Sequence, residues 1–160
     1  FGNDMLDFTQ TGKSALQSYL QRLSKEIPLL LVHNTFTSKE DIDKAENIHQ
    51  NLYWCFCPKA NLYIENRLPN IPQFIEKGVK CALGTDSLAS NDTLSIWEEI
   101  KTIKEQFPQI PMATLIQWGT LNGAEFLGIE KKYGSFEKGK FASVNQLVNG
   151  VNEVLNTKID

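Results

Sequence analysis

The sequence predicts an α/β fold built on parallel strands, and three observations carry that expectation. Apolar runs lead into 29–34, 52–57 and 79–85 without the polar alternation of a half-exposed sheet, the pattern of strands covered on both faces. Helical periodicity fills the stretches between them over short connections, the alternation of βαβ units. The strands are also too few: so small a free-standing sheet leaves long unpaired edges, so the chain reads as a section of a larger barrel, incomplete as given.

The opening residues Phe1 to Gln10 carry no clear pattern. From Thr11, the residues Leu16, Tyr19, Leu20 and Leu23 recur at helical spacing, and the helix ends before Pro28. After the first strand, Ser38 stands as an N-cap before Lys39-Glu40-Asp41, with acids in the first turn of a helix running to about His49. His49 is assigned to the helix dipole or solvent. Leu52-Tyr53-Trp54-Cys55-Phe56-Cys57 is the second strand, its aromatic rings filling the barrel, and Pro58-Lys59-Ala60-Asn61 is a loop at its C-terminal end. A short helix over 71–77 stops at Gly78 before the third strand. Leu94, Trp97, Ile100, Ile103 and Phe107 then mark one helical face that Pro108 terminates. A further helix is expected over 112–127 with Gly128 as its stop, and turn glycines around short strand-like pieces from Gly134 to Phe141.

Hydrophobic residues make up 41% of the 160 and charged residues 22%, the balance of a globular chain with a real core. A net charge of −3 with scattered Lys and Arg gives no basic footprint, which argues against a nucleic-acid partner and for a small-molecule one. No apolar stretch approaches the roughly 20 residues of a membrane helix, and no basic-then-apolar leader opens the chain. The first residue is Phe1 rather than Met, so sequence upstream is expected to be missing. The odd set Cys55, Cys57 and Cys81 lies within strands and suits reduced thiols in the cytoplasm. Cys55 and Cys57 share one strand face and read as buried packing rather than as a closed zinc site.

The candidate chemistry stands at the strand ends. Val79 to Leu83 delivers Gly84-Thr85-Asp86-Ser87, placing one carboxylate at the mouth where parallel sheets and barrels hold their ligands. Leu29 to Val32 delivers His33-Asn34 to the same rim. A capping aspartate or a structural histidine would explain either residue alone; two such residues on two strands favour a site. Ser87 and Ser90 lack the context of a serine nucleophile.

In order and spacing, His33-Asn34, Cys57-Pro58-Lys59-Ala60-Asn61, Leu83-Gly84-Thr85-Asp86-Ser87 and Leu88-Ala89-Ser90-Asn91-Asp92 resemble the C-terminal half of the amidohydrolase superfamily. The likeness covers about residues 29–142 and is greatest to the cytosine-, guanine- and S-adenosylhomocysteine-deaminase-like branch, also labelled chlorohydrolase. It implies the C-terminal portion of a (β/α)8 TIM-type barrel, about strands six to eight and the helices after them, over residues 1–133. Residues 134–160 would then begin a return into a small β-domain and tail.

The resemblance also implies a function: metal-dependent hydrolytic deamination of a heterocyclic or nucleoside-like amine. Asp86 would be a ligand to a divalent metal, zinc first and iron second, and would take the proton from the attacking water. His33 would orient that water and steady the intermediate. Asn61, Ser87 and Ser90 would shape the substrate pocket. The remaining metal ligands, a His-x-His and a further His with its Glu, are absent from the sequence and are expected upstream of residue 1, so the chain alone is expected to be inactive. Two alternatives stand beside this reading: another C–N or C–Cl hydrolase of the superfamily, and a catalytically silent α/β domain that binds a partner. Open sheet edges leave room for self-association. After Ala142 the usual acid and aliphatic run is replaced by Ser143, Val144 and Asn145, so the strand that follows the barrel is not expected to form normally.

Overall fold

The structure is a computed structural model that describes residues 12–141 and the backbone of two strands beyond them. Three short strands, β1 (Leu29–Val32), β2 (Leu52–Phe56) and β3 (Cys81–Leu83), form a parallel sheet in the order β1-β2-β3. Leu29 pairs with Leu52 and Trp54 with Cys81, so the C-terminal ends of all three strands reach one rim. The strands are shorter than the apolar runs suggest. β1 stops at Val32 because His33 and Asn34 both enter the left-handed region, at φ 71° and 60°, which a strand cannot accommodate.

Helices cover one face. α1 (Ala15–Leu20) is shorter than its periodicity implies, and α2 (Lys39–Ile48) carries the expected Ser38 cap as a full capping box with Asp41. Of the two expectations for His49, helix dipole or solvent, solvent is corrected: it is the C-cap of α2 and 2% exposed, and its Nε2 lies 3.0 Å from the Leu20 carbonyl, tying the end of α2 to α1. Pro58-Lys59-Ala60-Asn61 is not a loop but the first turn of α3 (Pro58–Glu65). Proline at the first helical position has φ set for the helix and no N–H to leave unpaired. After α4 (Ile71–Lys77), with Gly78 left-handed at its end, and β3 come α5 (Ile96–Gln106), α6 (Met112–Gly119) and α7 (Leu121–Phe126). The single helix expected over 112–127 is broken at Thr120, whose φ −132° and ψ −86° are not helical.

The main core lies between sheet and helices, where Trp54, Phe56, Phe74 and Trp118 pack with ring centroids 5.0 to 5.8 Å apart. Trp54 and Phe56 therefore do not fill a barrel lumen, as the sequence reading held; alternation along β2 sends them to the helix layer and Cys55 and Cys57 to the opposite face, with Ala60 and Leu30. Trp54 is fully buried and donates from Nε1 to Glu46 Oε1 at 2.8 Å, so truncation to Ala would cost about 3–5 kcal/mol. Cys55, Cys57 and Cys81 are free and buried.

The strand-like pieces expected from Gly134 to Phe141 are turns, and two strands follow, β4 (Val144–Val148) and β5 (Val151–Leu155), paired antiparallel. A strand thus forms where the altered tail argued against one. Among the described residues, β1 and β3 have no further strand beside them, and no helix is long and apolar enough to cross a membrane.

Candidate active site

His33 and Asp86, delivered by β1 and β3, meet across the rim with Nε2 3.9 Å from Oδ2. Their side chains are 38% and 33% exposed, open enough to reach a ligand and enclosed enough to be held. Both residues, and Asn34, have positive φ, Asp86 at 57°. Such backbone costs about 1–3 kcal/mol for a residue other than glycine and persists only where neighbours fix it. The Asn34 amide donates to the Leu31 carbonyl at 2.7 Å and the Cys55 carbonyl at 3.3 Å, which fastens the turn after β1 to β2.

Asp86 is held by its own loop. Ser90 Oγ donates to Asp86 Oδ2 at 2.6 Å and also reaches the Ser87 carbonyl at 3.3 Å. The Ser90 hydroxyl, with the Ser87 N–H and the field of His33, holds the Asp86 carboxyl below the ordinary value against a smaller opposing effect of burial. The Ser87 hydroxyl is turned to other work, accepting the Ala89 N–H at 3.3 Å within the turn.

Asn61 sits on α3 in contact with the histidine. Its Nδ2 donates to Thr35 Oγ1 at 2.8 Å and lies 3.4 Å from His33 Nδ1. In that arrangement Nδ1 accepts, and Nε2, the nitrogen facing Asp86, carries the proton. Asn61 Oδ1 is buried with no hydrogen-bond partner among the described residues. Of the five residues expected at the site, the structure thus gathers His33, Asp86, Ser90 and Asn61 and assigns the Ser87 side chain to the turn.

Three residues of this region were not anticipated: Thr35, Asn91 and Glu99. The Glu99 side chain is fully buried, with Oε2 accepting the Lys59 N–H at 2.9 Å and Oε1 accepting Asn91 Nδ2 at 2.6 Å. Burial pushes its carboxyl upward against those two hydrogen bonds. The periodicity could have found it, since Glu99 shares the inward side of α5 with Ile100 and Ile103. An open cleft of about 370 Å³ adjoins Ser90 and is lined by Lys59, Tyr63 and Leu88 among others.

Asp86 offers the hard oxygen donor that a divalent metal accepts, and the donor set fits a share of such a site. A catalytic zinc ordinarily takes three protein ligands. Among the described residues no group of three or more His, Cys, Asp or Glu side chains is placed to hold a metal ion.

The parallel sheet brings an acid and an imidazole together at its strand mouths, where α/β folds hold their ligands. The chain belongs to the amidohydrolase family, whose sequence profile matches residues 6–157. It is similar to the 5-methylthioadenosine/S-adenosylhomocysteine deaminase of Teredinibacter turnerae, 34% identical over 120 residues, covering 71% of this chain and 27% of that protein. The deaminase of the same name from Caldanaerobacter subterraneus subsp. tengcongensis is 29% identical over 140 residues, covering 83% and 32%. The chain therefore spans about a third or less of the length of these relatives. Among solved structures, a zinc-bound adenosine deaminase from Xanthomonas campestris superposes with a TM-score of 0.62 at 28% identity, over 70% of this chain and 27% of that one. The Helicobacter pylori aminofutalosine deaminase in complex with methylthio-coformycin shares the fold, with a TM-score of 0.69 at 23% identity over 91% and 34%.

Proposed function

We propose that this chain is the segment of a metal-dependent deaminase that supplies the proton-handling carboxylate and the orienting imidazole, acting on a heterocyclic or nucleoside-like amine. It would be the C-terminal portion of a (β/α)8 barrel. The observation that carries the reading is the meeting of His33 and Asp86, each in left-handed backbone, 3.9 Å apart at the rim. The similarity to deaminases of methylthioadenosine and adenosine supports the substrate class.

When bound, a divalent metal would supply an activated water, lowering its pKa from about 16 toward 7. Asp86 would be its ligand from this chain, with the others outside the described residues. In the reaction Asp86 takes the proton of the attacking water, a task its lowered pKa suits only while the proton is passed on promptly to the leaving amine. The proton on His33 Nε2, set by Asn61 at Nδ1, would donate to the oxygen of the attacking water, orienting it toward the aminated carbon and holding it as that carbon becomes tetrahedral. The Ser90 side of the cleft would line the substrate's place, with Asn61 acting from beneath it through His33. The buried free thiols support a reducing compartment, the cytoplasm.

The experiment is to purify the full-length protein, measure bound metal, and assay ammonia release from adenosine- and methylthioadenosine-type amines. Turnover with about one metal per chain is the expected result. Metal-free protein, or metal without release of ammonia from any such amine, would overturn the reading.

A further inference from the structure

We propose that Glu99 is a positioning residue that clamps the His33 and Asp86 halves of the site to one another. This deepens the deaminase reading, on which it rests for its catalytic consequence. The geometry is a fork. One carboxylate oxygen accepts the Lys59 N–H at 2.9 Å, an N–H in the first turn of α3, where Cys57 makes no side-chain cap. That is the position at which a helix leaves donors unpaired and favours negative charge. α3 carries Asn61, whose amide touches His33 Nδ1 and Thr35.

The other oxygen accepts Asn91 Nδ2 at 2.6 Å, and the same Nδ2 donates to the Thr85 carbonyl at 2.8 Å, one residue before Asp86. Lys59 and Asp92 close the outside of the fork with an ion pair at 2.5 Å. A fully buried carboxylate is costly unless paired, and here both its partners are N–H donors belonging to the two halves of the site. Glu99 touches neither substrate nor reacting atoms; its effect passes through Asn61 on one arm and Thr85 on the other.

Glu99→Gln tests this with little change of shape. Both neighbours donate, so the amide NH2 faces another donor whichever way it turns. In the full-length protein, hydrogen exchange read by mass spectrometry should rise together in peptides spanning 57–63 and 85–92, whereas the core variant Ile42→Val should leave both unchanged. Asn91→Ala cuts a single arm and should speed exchange at 85–92 alone. In the same preparations Glu99→Gln should lower kcat by about 10- to 100-fold with KM within a few-fold, the scale of a misplaced catalytic group, and Ile42→Val should not.

Unchanged exchange in Glu99→Gln, a rise in one peptide only, or a rise in both for Asn91→Ala would each overturn the clamp. Should Glu99→Gln fail to fold, Asn91→Ala decides: no rise at 85–92 overturns it. Absence of turnover in the wild type would sink the deaminase reading and leave the exchange result standing on its own.

Discussion

Ser90 Oγ donates to Asp86 Oδ2 at 2.6 Å, so a buried hydroxyl four residues along fastens the carboxylate to the turn that carries it. Ser90→Ala removes the largest influence holding the Asp86 carboxyl down. Its titration midpoint should rise toward the ordinary value, observed by carboxyl ¹³C NMR in the metal-free protein. An unmoved midpoint would show that the loop, not the hydroxyl, sets it.

The two central residues should separate under substitution in the full-length protein. Asp86→Asn removes a charged donor and the proton acceptor and should lose metal and activity together. His33→Asn should keep its metal while kcat falls roughly 10²-fold, the usual scale for one positioned polar group. Metal content and kcat measured side by side decide this; loss of metal in the His33 variant would make the imidazole a ligand.

Asp41 predicts an acid limit to stability. Burial alone would raise its carboxyl, but hydrogen bonds from Ser14, Ser38 and Gln17 outweigh it and lower the pKa to about 2. The unfolded value is about 3.9, so the stabilisation is present above roughly pH 4 and is lost as pH falls through 2. Asp41→Asn should therefore cost on the order of 1–2 kcal/mol at pH 7. That difference from wild type should close by about pH 2 in denaturant titrations.

Gly134 has φ 92°, and a Cβ there would lie 2.8 Å from Ala124 Cβ and 2.9 Å from Leu121 Cα. Gly134→Ala should destabilise by about 2 kcal/mol or more, since backbone strain and overlap with α7 act together. Urea unfolding of the two proteins provides the comparison, and a change under 0.5 kcal/mol, the scale of a neutral surface substitution, would contradict it.

The open edges of β1 and β3 should make the 160-residue chain self-associate when expressed alone. Sedimentation over a hundredfold range of concentration should show mass increasing with concentration. A single monomeric species throughout would mean that the edges are protected.

What the sequence disclosed was governed by strong local signals. The runs before His33 and Asp86 marked strands and their polar ends a rim, although β1 proves only partly buried, with Val32 exposed, where continuous burial was expected. Ser38 and Gly78 announced helix ends by chemistry alone. Pro58 misled, since proline closes a strand and opens a helix with equal ease, and only the packing of Ala60 and Asn61 chooses between them. The break at Thr120 carries no proline or other local signal, and the close packing of Gly119 against Ile96, where a Cβ would lie 2.6 Å away, shows only in the fold. Glu99 was legible only as a position: periodicity puts it on the inward side of α5 with Ile100 and Ile103, but its partners Lys59 and Asn91 lie on other segments and show only in the fold.

The spatial order of the strands repeats their order along the chain, β1 beside β2 and β2 beside β3. Synthesis proceeds from the N-terminus at about 5–20 residues per second, slowly compared with strand docking. The edge that β2 and then β3 pairs with is synthesised before it, so this order lets the sheet be laid down in one direction without waiting for residues still to come. The two sides of the rim are made at different times: His33 has been synthesised before Asp86, so the topology permits the acid to join the imidazole last.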